Sequence, residues 1–176
     1  MFEGKKVILR GYKESDIEKS WELVEEKGIR ELLQSDPIFP NSLENQRDFI
    51  NKVMKGSEKE YHFAIERKDM KEYIGGCGIN SIDRKNSIAE IGIWLGKEYH
   101  GKGFASDALR LLCSYLFNEL NIHKIKLFYF EFNDAARACY DAVGFKPEGI
   151  NRQEIYRYGR YSDVITMGMF RNELKL

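Results

Sequence analysis

A strand pattern, a glycine-rich loop and a long helical pattern follow one another between Ile88 and Leu120, and this order limits the fold more than any other feature. Apolar residues alternate along the stretch from Ile88 to Leu95, which predicts a strand. From Phe104 to Leu120 they recur at the spacing of a helix with one buried face. Because each element needs a partner to cover its apolar face, the chain is predicted to pack helices against a sheet.

Further strands and helices are indicated on both sides of this segment. Strands are predicted from Val7 to Arg10, Tyr61 to Glu66, Tyr73 to Ile82 and Ile125 to Phe130, followed by a closing hairpin of Glu154 to Tyr158 and Val164 to Phe170. Helices are predicted from Ser15 or Asp16 toward Gly28, from Asn41 or Ser42 through Val53, and from Asp134 to Val143 between the cap Asn133 and the stop signal Gly144.

The chain has the length and composition of one globular domain spanning residues 1–176. Its 28 basic and 28 acidic residues cancel, which removes the long-range attraction that draws proteins to nucleic acid or anionic lipid. The sequence contains no apolar run of the roughly 18 residues that a membrane span requires, and Met1 to Leu9 lacks a signal region. A cytoplasmic location without membrane or nucleic-acid partners is therefore expected.

The three cysteines and three histidines show no spacing typical of a disulfide framework, a redox pair or a metal site. Cys77 and Cys113 are far apart and are expected to be reduced and buried. Cys139 adjoins Tyr140 in a predicted helix but is expected to point elsewhere, and no histidine stands near it in the sequence. We therefore predict no bound metal and no covalent intermediate.

The loop from Leu95 to Ser106 leads into the N-terminus of the long helix and suits a phosphate group. The first turn of a helix presents unpaired N–H groups and a positive dipole end, and glycines let the backbone approach the anion. The nucleotide P-loop matches up to its last position, where Gly103 replaces Ser or Thr. The dinucleotide fingerprint ends in Gly or Ala, but Ser106 stands there.

The stretch His100-Gly101-Lys102-Gly103-Phe104-Ala105 resembles the pyrophosphate loop of the GNAT superfamily of N-acetyltransferases. In that loop a Gln or Arg is followed by two residues, Gly, one residue, and then Gly or Ala. Gly103 and Ala105 occupy its last two defined positions. His100 departs from the Gln or Arg, which affects one contact to the pyrophosphate but not the main-chain cradle.

A second motif is similar to the family's Asn-x-x-Ala-x-x-x-Tyr-x-x-x-Gly-Phe segment; its residues are Asn133, Ala136, Tyr140, Gly144 and Phe145. The similarity runs from about Glu72 to Phe170 and is greatest to the branch of ribosomal-protein N-terminal acetyltransferases and polyamine acetyltransferases. It implies an α+β (mixed α/β) fold with a central, mostly antiparallel twisted sheet flanked by helices. It also implies direct transfer of an acetyl group from acetyl-CoA to a primary amine, either a protein N-terminal α-amine or a small molecule such as a polyamine.

The resemblance also assigns residues to the site. Tyr140 would protonate the departing CoA thiolate, whose thiol has a pKa near 8.5 against about 10 for a phenol. Asn133 caps its helix and can also bind the ligand. The other residues implied to bind acetyl-CoA are Ile93, Trp94 and Leu95 through their main chains, and His100, Gly101, Lys102, Gly103, Phe104, Ala105, Ser106 and Ala136.

Glu90 lies on the opposite face of its predicted strand from Ile91 and Ile93. Partial burial would raise its pKa and let it accept the proton of the attacking amine. An exposed Glu90 would instead pair with Lys or Arg across the strands, and the sequence supports both roles equally. Gly92 is expected to be a bulge or a point of close approach.

The acceptor site is expected among the two N-terminal helices, the loop from Ser35 to Asn41 and the closing hairpin. Acidic residues there either attract a cationic amine or are merely solvated; they are Glu25, Glu26, Glu31 and Asp36. The hairpin tip either covers a substrate or forms a homodimer interface; its residues are Tyr156, Arg157, Tyr158, Arg160 and Tyr161. Two other functions stay open, an acyl-CoA-binding sensor without activity and a nucleotide-binding protein with a degenerate P-loop.

Overall fold

The computed structural model describes residues 1–56 and 60–176, and eight strands in this part of the chain form one sheet. The strands are β1 (Phe2–Glu3), β2 (Val7–Arg10), β3 (Tyr61–Arg67), β4 (Glu72–Asp83), β5 (Ile88–Leu95), β6 (Lys124–Phe130), β7 (Lys146–Arg157) and β8 (Arg160–Phe170). Their order is β1-β2-β3-β4-β5-β6-β8-β7, and all neighbours are antiparallel except β5 and β6. The implied mixed fold with a mostly antiparallel central sheet is confirmed.

The described residues also form five α-helices, which lie on both faces of the sheet. They are α1 (Ile17–Val24), α2 (Arg30–Leu33), α3 (Leu43–Lys55), α4 (Phe104–Asn118) and α5 (Asp134–Val143). Ser42 and Asn133 cap α3 and α5 by accepting hydrogen bonds from main-chain N–H groups three residues later. Gly144 ends α5 with a φ of 121°, a conformation that favours glycine.

Helices α4 and α5 pack on one face of the sheet, called here the α4 face. Tyr115 of α4 packs edge-on against Phe63 of β3, with ring centroids 6.3 Å apart. Tyr140 of α5 packs in the same way against Tyr129 of β6, at 6.1 Å. The main core lies here, between the fully buried leucines of α4, such as Leu112, and the strands.

Helix α1 packs on the opposite face, called here the α1 face. The hydroxyl of Tyr73 in β4 donates to Ser20 Oγ of α1 over 3.1 Å. The Tyr73 ring also packs edge-on against Trp94 of β5, with centroids 6.3 Å apart. Because side chains alternate along a strand, Ile93 and Leu95 lie on the α4 face.

The sheet splits between its two parallel strands. Ile88–Glu90 of β5 is in register with Lys124–Lys126 of β6, and the pairing ends there. Each strand keeps its outer partner along its whole length, β5 with β4 and β6 with β8. The inner edges of β5 and β6 therefore carry main-chain groups without a strand partner.

The predicted bounds of β2, β5 and α5 are confirmed to the residue. Strand β7 begins at Lys146 rather than at the predicted Glu154, because the chain pairs with β8 almost directly after Gly144, with Lys146 opposite Gly168. Elements β1 and α2 were not predicted, since two and four residues are too short to show a periodic pattern.

Gly92 is a point of close approach and not a bulge. The register irregularity lies across from β5, in β4 between Ile79 and Ser81. A Cβ at Gly92 would stand 3.2 Å from Asn80 Nδ2, so a side chain of β4 lies over this glycine. Among the helices of the described residues, none is both long and apolar enough to span a bilayer.

Candidate active site

A cavity of about 410 Å³ passes through the split between β5 and β6. On the α4 face its walls are Ile93 and Leu95, residues of the loop before α4, and helix α5. On the α1 face they are α2, Trp94 and Phe128. Phe128 faces α1 because its neighbour Tyr129 packs on α5. The cavity thus connects the two faces of the sheet.

The end of the cavity at α4 has the structure of an anion site. Gly101 and Gly103 adopt left-handed φ values of 72° and 82°, and Gly103 is the N-cap of α4. The first main-chain hydrogen bond of α4 runs from Asp107 N to Gly103 O, so the three N–H groups before it are not used within the helix. Ala105 and Ser106, which carry two of these groups, line the cavity. The loop fits a diphosphate.

His100 is oriented by the main chain of β5. Its Nε2 lies 2.9 Å from Leu95 O, and the residue lines the cavity. One ring nitrogen is therefore engaged with the protein and only the other is free for a ligand. At this position the His100 side chain therefore connects the loop to the last residue of β5.

A clasp between the N-terminal hairpin and the phosphate loop was not anticipated from the sequence. The carboxylate of Asp107 in α4 accepts three main-chain N–H groups, from Lys5 at 3.2 Å, Lys6 at 2.7 Å and Val7 at 3.0 Å. Lys6 Nζ in turn donates to Lys102 O over 2.6 Å. A positive charge from the start of the chain thus lies at the phosphate loop, and no local sequence pattern connects residues about 100 positions apart.

The inner edge of β5 offers free main-chain groups to the cavity. Gly96 N donates to Ile74 O over 3.0 Å, so Gly96 directs its main chain toward β4. By the alternation of an antiparallel pair, Trp94 does the same, while Ile93 and Leu95 direct theirs toward the split. Leu95 O is used by His100, which leaves its N–H and both groups of Ile93 facing the cavity.

Tyr140 is buried in the wall that α5 contributes. The residue is 6% exposed, it lines the cavity, and its ring packs on Tyr129 and on Phe145 at 6.0 Å. The hydroxyl has no hydrogen-bond partner among residues 1–56 and 60–176. Burial raises the pKa of Tyr140 well above its usual value, so the phenol stays protonated at neutral pH.

Asn133 is the N-cap of α5, and Tyr140 lies in the second half of the same helix. Both residues line the cavity. Its Oδ1 accepts from Ala136 N over 3.1 Å, which leaves its amide N–H₂ group for a ligand. Ala136 and Ala138, small residues on the same helix, also line the cavity and keep this wall flat.

Cys139 points toward α4, away from Tyr140, but it lines the same cavity, which the sequence did not predict. Its Sγ lies 3.4 Å from Ser106 Oγ, where α5 meets the first turn of α4. Burial raises the pKa of the Cys139 thiol, which disfavours the thiolate that a nucleophile would need.

Three of the predicted site residues lie outside the cavity lining. Lys102 is exposed and takes part in the clasp through its carbonyl, and Phe104 is 8% exposed and packs toward the ring of Tyr99. Glu90 is half-buried on the α1 face, in register with Lys126 of β6 and four residues before Trp94.

None of the four acidic candidates for the acceptor site lines the cavity, and two of them have partners elsewhere. Glu25 pairs with Arg30 at 3.1 Å, and a carboxylate oxygen of Glu26 accepts from Lys97 N at 2.7 Å. Neither these two residues nor Glu31 and Asp36 line the cavity. The α1-face end is formed instead by Ile29, Leu32 and Leu33, which were not predicted.

The hairpin tip between β7 and β8 is exposed rather than part of the cavity. Tyr156, Tyr158 and Tyr161 are each more than 60% exposed. Arg157 instead turns toward the segment after α2, where it donates to Gln34 O at 2.8 Å and to Asp36 O at 3.3 Å. Across the described ranges, no group of three or more His, Cys, Asp or Glu side chains is placed to hold a metal ion.

Comparison with known proteins gives a consistent picture of the chain. The family model described as an acetyltransferase (GNAT) domain matches residues 6–146. The chain is 32% identical over 99 residues to the putative ribosomal N-acetyltransferase YdaF of Bacillus subtilis, covering 56% of this chain and 54% of that protein. It is 30% identical over 155 residues to the spermidine N(1)-acetyltransferase of Vibrio cholerae, covering 79% and 90%.

A solved structure is similar to this chain in both fold and sequence. The crystal structure of a spermidine N-acetyltransferase from Vibrio cholerae in complex with CoA and spermine superposes with a TM-score of 0.83 at 28% identity, covering 95% of this chain and 96% of that one. Some relatives match over less of their length, since the chain spans only 62% and 54% of two curated N-acetyltransferases.

Proposed function

Because the chain belongs to the GNAT acetyltransferase family, we propose that it transfers an acetyl group from acetyl-CoA to a primary amine. One observation carries this proposal: a single cavity joins a helix N-terminus suited to a diphosphate with a buried, protonated phenol. The spermidine acetyltransferase of the same fold was crystallised with CoA, which supports the choice of cosubstrate. In this proposal the chain acts as one catalytic domain and works in the cytoplasm.

Acetyl-CoA supplies the acetyl group as a thioester, and the chain supplies its binding surface. Main-chain N–H groups from Gly101 to Ser106 hold the diphosphate, aided by the positive dipole end of α4. Free main-chain groups of Ile93 and Leu95 and the amide of Asn133 hold the amides of the pantetheine arm. This arrangement directs the thioester toward the α5 wall and leaves the α1-face end of the cavity for the amine.

Tyr140 is the group in this wall that can give a proton to the departing sulfur. Direct attack of the amine nitrogen on the thioester carbonyl carbon forms the amide bond and breaks the carbon–sulfur bond. The nitrogen gives up one proton, and the departing thiolate takes one. Burial keeps the phenol protonated at neutral pH, and the same surroundings raise the basicity of the thiolate that forms beside it, so the proton can pass to the sulfur as the carbon–sulfur bond breaks. Glu90 stands outside the cavity lining, so its role as a base requires a path through water.

A binding experiment with a matched glycine pair tests the cosubstrate. Gly103→Ala places a Cβ on a residue with φ of 82°, 3.2 Å from Lys6 Nζ. A left-handed conformation costs alanine about 1–2 kcal/mol, which the free loop relieves by leaving that conformation and CoA binding must restore, so CoA affinity measured by calorimetry should fall about tenfold. Gly149 has no positive φ, and a Cβ there would enter open space. The control variant Gly149→Ala should therefore bind CoA like the wild type.

Two results would contradict the proposal and favour the alternatives. Tight, magnesium-dependent binding of ATP with no binding of CoA would favour a degenerate P-loop. Tight binding of acetyl-CoA without thiol release across peptides, polyamines, amino sugars and aminoglycosides would favour a sensor that transfers nothing.

A further inference from the structure

We infer that the acceptor is an amine bonded to an apolar group and free of a second positive charge, the chemistry of the α-amine of a peptide with an apolar first side chain. The inference rests on the proposed acetyl transfer and names its substrate class. It follows from the residues that form the α1-face end of the cavity, opposite the phosphate loop.

The α1-face end of the cavity is apolar. Three residues of the α2 region, Ile29, Leu32 and Leu33, stand on one side, and Trp94 and Phe128 stand on the two edges of the split. Ile29 is only 4% exposed, whereas Phe128 is 42% exposed and presents its ring to an incoming group. A surface of this kind gains free energy by covering an apolar side chain and gains none from a solvated charge.

No carboxylate lines the cavity within residues 1–56 and 60–176. Two acidic residues that precede the α2 region are held by other partners, Glu25 by Arg30 and Glu26 by the main chain of Lys97. Glu31 shares α2 with two wall residues but is not itself in the wall. A polyamine would therefore bring its additional ammonium groups into a wall that offers them no counter-charge.

A cation lies directly behind this wall. Arg157 donates to Gln34 O, the residue next to Leu33, and its Nε is buried without a hydrogen-bond partner in the described structure. A guanidinium at this position repels a polycation and tolerates the carbonyl groups that follow the α-amine of a peptide.

The distance of a base from the cavity favours the same class of amine. An α-amine has a pKa near 8 and is partly neutral at pH 7, whereas a polyamine amine near 10 must first lose a proton. Glu90, the candidate base, is outside the cavity lining and in register with Lys126. A weakly basic amine needs less help from such a group.

Initial rates of thiol release with three acceptors test the inference. The acceptors are a tripeptide beginning with Leu, the same tripeptide beginning with Asn, and spermidine, each with saturating acetyl-CoA. Leu and Asn side chains have similar size, so their comparison isolates polarity. We expect kcat/KM for the Leu peptide to exceed the values for both other acceptors by about tenfold or more.

A variant pair on α2 locates the effect. In the variant Leu33→Asn, the ratio of kcat/KM for the Leu peptide to kcat/KM for the Asn peptide should fall at least about fivefold, while KM for acetyl-CoA stays unchanged. Glu31→Gln, on the same helix but outside the wall, should keep the preference of the wild type. An unchanged preference in Leu33→Asn would overturn the inference.

Two further outcomes separate this inference from the proposed function. Faster acetylation of spermidine than of either peptide would overturn the inference but leave acetyl transfer in place, and loss of that activity in Glu31→Gln would identify the missing counter-charge. Binding of acetyl-CoA without thiol release to any of the three acceptors or the wider amine panel would overturn both.

Discussion

Tyr140 combines two properties that separate it from Tyr73 and Tyr99 and that it shares with Tyr129. It lies in the cavity wall, and its hydroxyl has no hydrogen-bond partner in the described residues, whereas the buried Tyr73 donates to Ser20 and Tyr99 to Glu72. The Tyr140 hydroxyl oxygen is not sealed from solvent, so it opens into the cavity and is available to a ligand atom. The residue is thus prepared for a group that arrives with the substrate.

Replacement of Tyr140 by Phe removes the proton donor and keeps the packing of the ring. We expect Tyr140→Phe to lower kcat about 100-fold, the lower part of the range for a general acid, with CoA affinity changed less than about threefold. Steady-state rates and calorimetric titration with CoA measure the two quantities. Tyr129→Phe, in the adjacent ring of the same wall, should keep kcat near the wild-type value; the opposite ranking of the two variants would assign the acid to Tyr129.

The sequence identified most of the wall residues of β5, the loop and α5, because motif spacing encodes contacts within one element. It did not place Cys139 in the cavity. Helical spacing separates Cys139 from Tyr140 by about 100°, but the cavity wraps around α5 toward Ser106 and meets both side chains. The width of a cavity depends on neighbouring elements, so the periodicity of one helix does not predict it.

At the scale of elements, the clasp joins the N-terminal hairpin to the phosphate loop. Asp107 holds the turn between β1 and β2 through three N–H groups, and a Cβ on Gly4 in this turn would stand 2.4 Å from its Oδ2. Lys6 extends from the turn to the carbonyl of Lys102. The hydrogen bonds of this clasp therefore hold strand β1 and the phosphate loop in place together, and neither segment is long enough to be stable alone.

Removal of the Lys6 ammonium should weaken binding of the phosphates specifically. We expect Lys6→Met to raise KM for acetyl-CoA about threefold to tenfold, because a charged hydrogen bond at a helix N-terminus contributes about 1 kcal/mol. The KM for acetyl-pantetheine, which lacks the diphosphate, should not change. Lys5→Met is the control, since Lys5 takes part only through its main-chain N–H.

Equal effects of Lys6→Met on acetyl-CoA and acetyl-pantetheine would contradict this role and indicate a general loss of loop structure. The same comparison can be repeated with added salt. Because salt screens an exposed charge, it should narrow the difference in KM for acetyl-CoA between Lys6→Met and the wild type.

Long, periodic elements were predictable from the sequence, and short ones that depend on distant partners were not. The helix α5 has a cap, an amphipathic pattern and a stop signal of its own. In contrast, α2 has four residues, and its position beside the cavity depends on contacts such as that of Arg157 with Gln34 O, 123 positions away. The acceptor end was therefore the part of the site that the sequence left open.

At the scale of the whole molecule, the site exists because the sheet is incomplete. Strands β5 and β6 each keep an outer partner but share only three paired residues, and the cavity occupies the space where pairing fails. Neither strand pattern reveals this, because both segments have ordinary apolar alternation. The split is a property of the relative directions of two strands whose connection includes α4.

The core that surrounds this split contains several titratable groups in their neutral form. Burial raises the pKa of Tyr73, Tyr140, Cys77 and Cys113. In the unfolded chain, cysteines release protons near pH 8.5 and tyrosines near pH 10. Above these values the unfolded state binds fewer protons than the folded state, so the free energy of unfolding must fall as pH rises.

Urea unfolding at several pH values measures this dependence. Stability should be constant from about pH 7 to 8, decline from about pH 8.5, and decline more steeply above pH 10, with each buried group adding about 1.4 kcal/mol per pH unit beyond its unfolded pKa. Tyr73→Phe loses its hydrogen bond to Ser20 and should be less stable at neutral pH by about 1 kcal/mol. Above pH 10 the free energy of unfolding of Tyr73→Phe should fall less steeply with pH than that of the wild type, by about 1.4 kcal/mol per pH unit, because one buried group is missing. Tyr156→Phe removes a tyrosine that is 61% exposed and should leave the slope unchanged, so equal slopes in the two variants would contradict the burial of Tyr73 as a cause of alkaline unfolding.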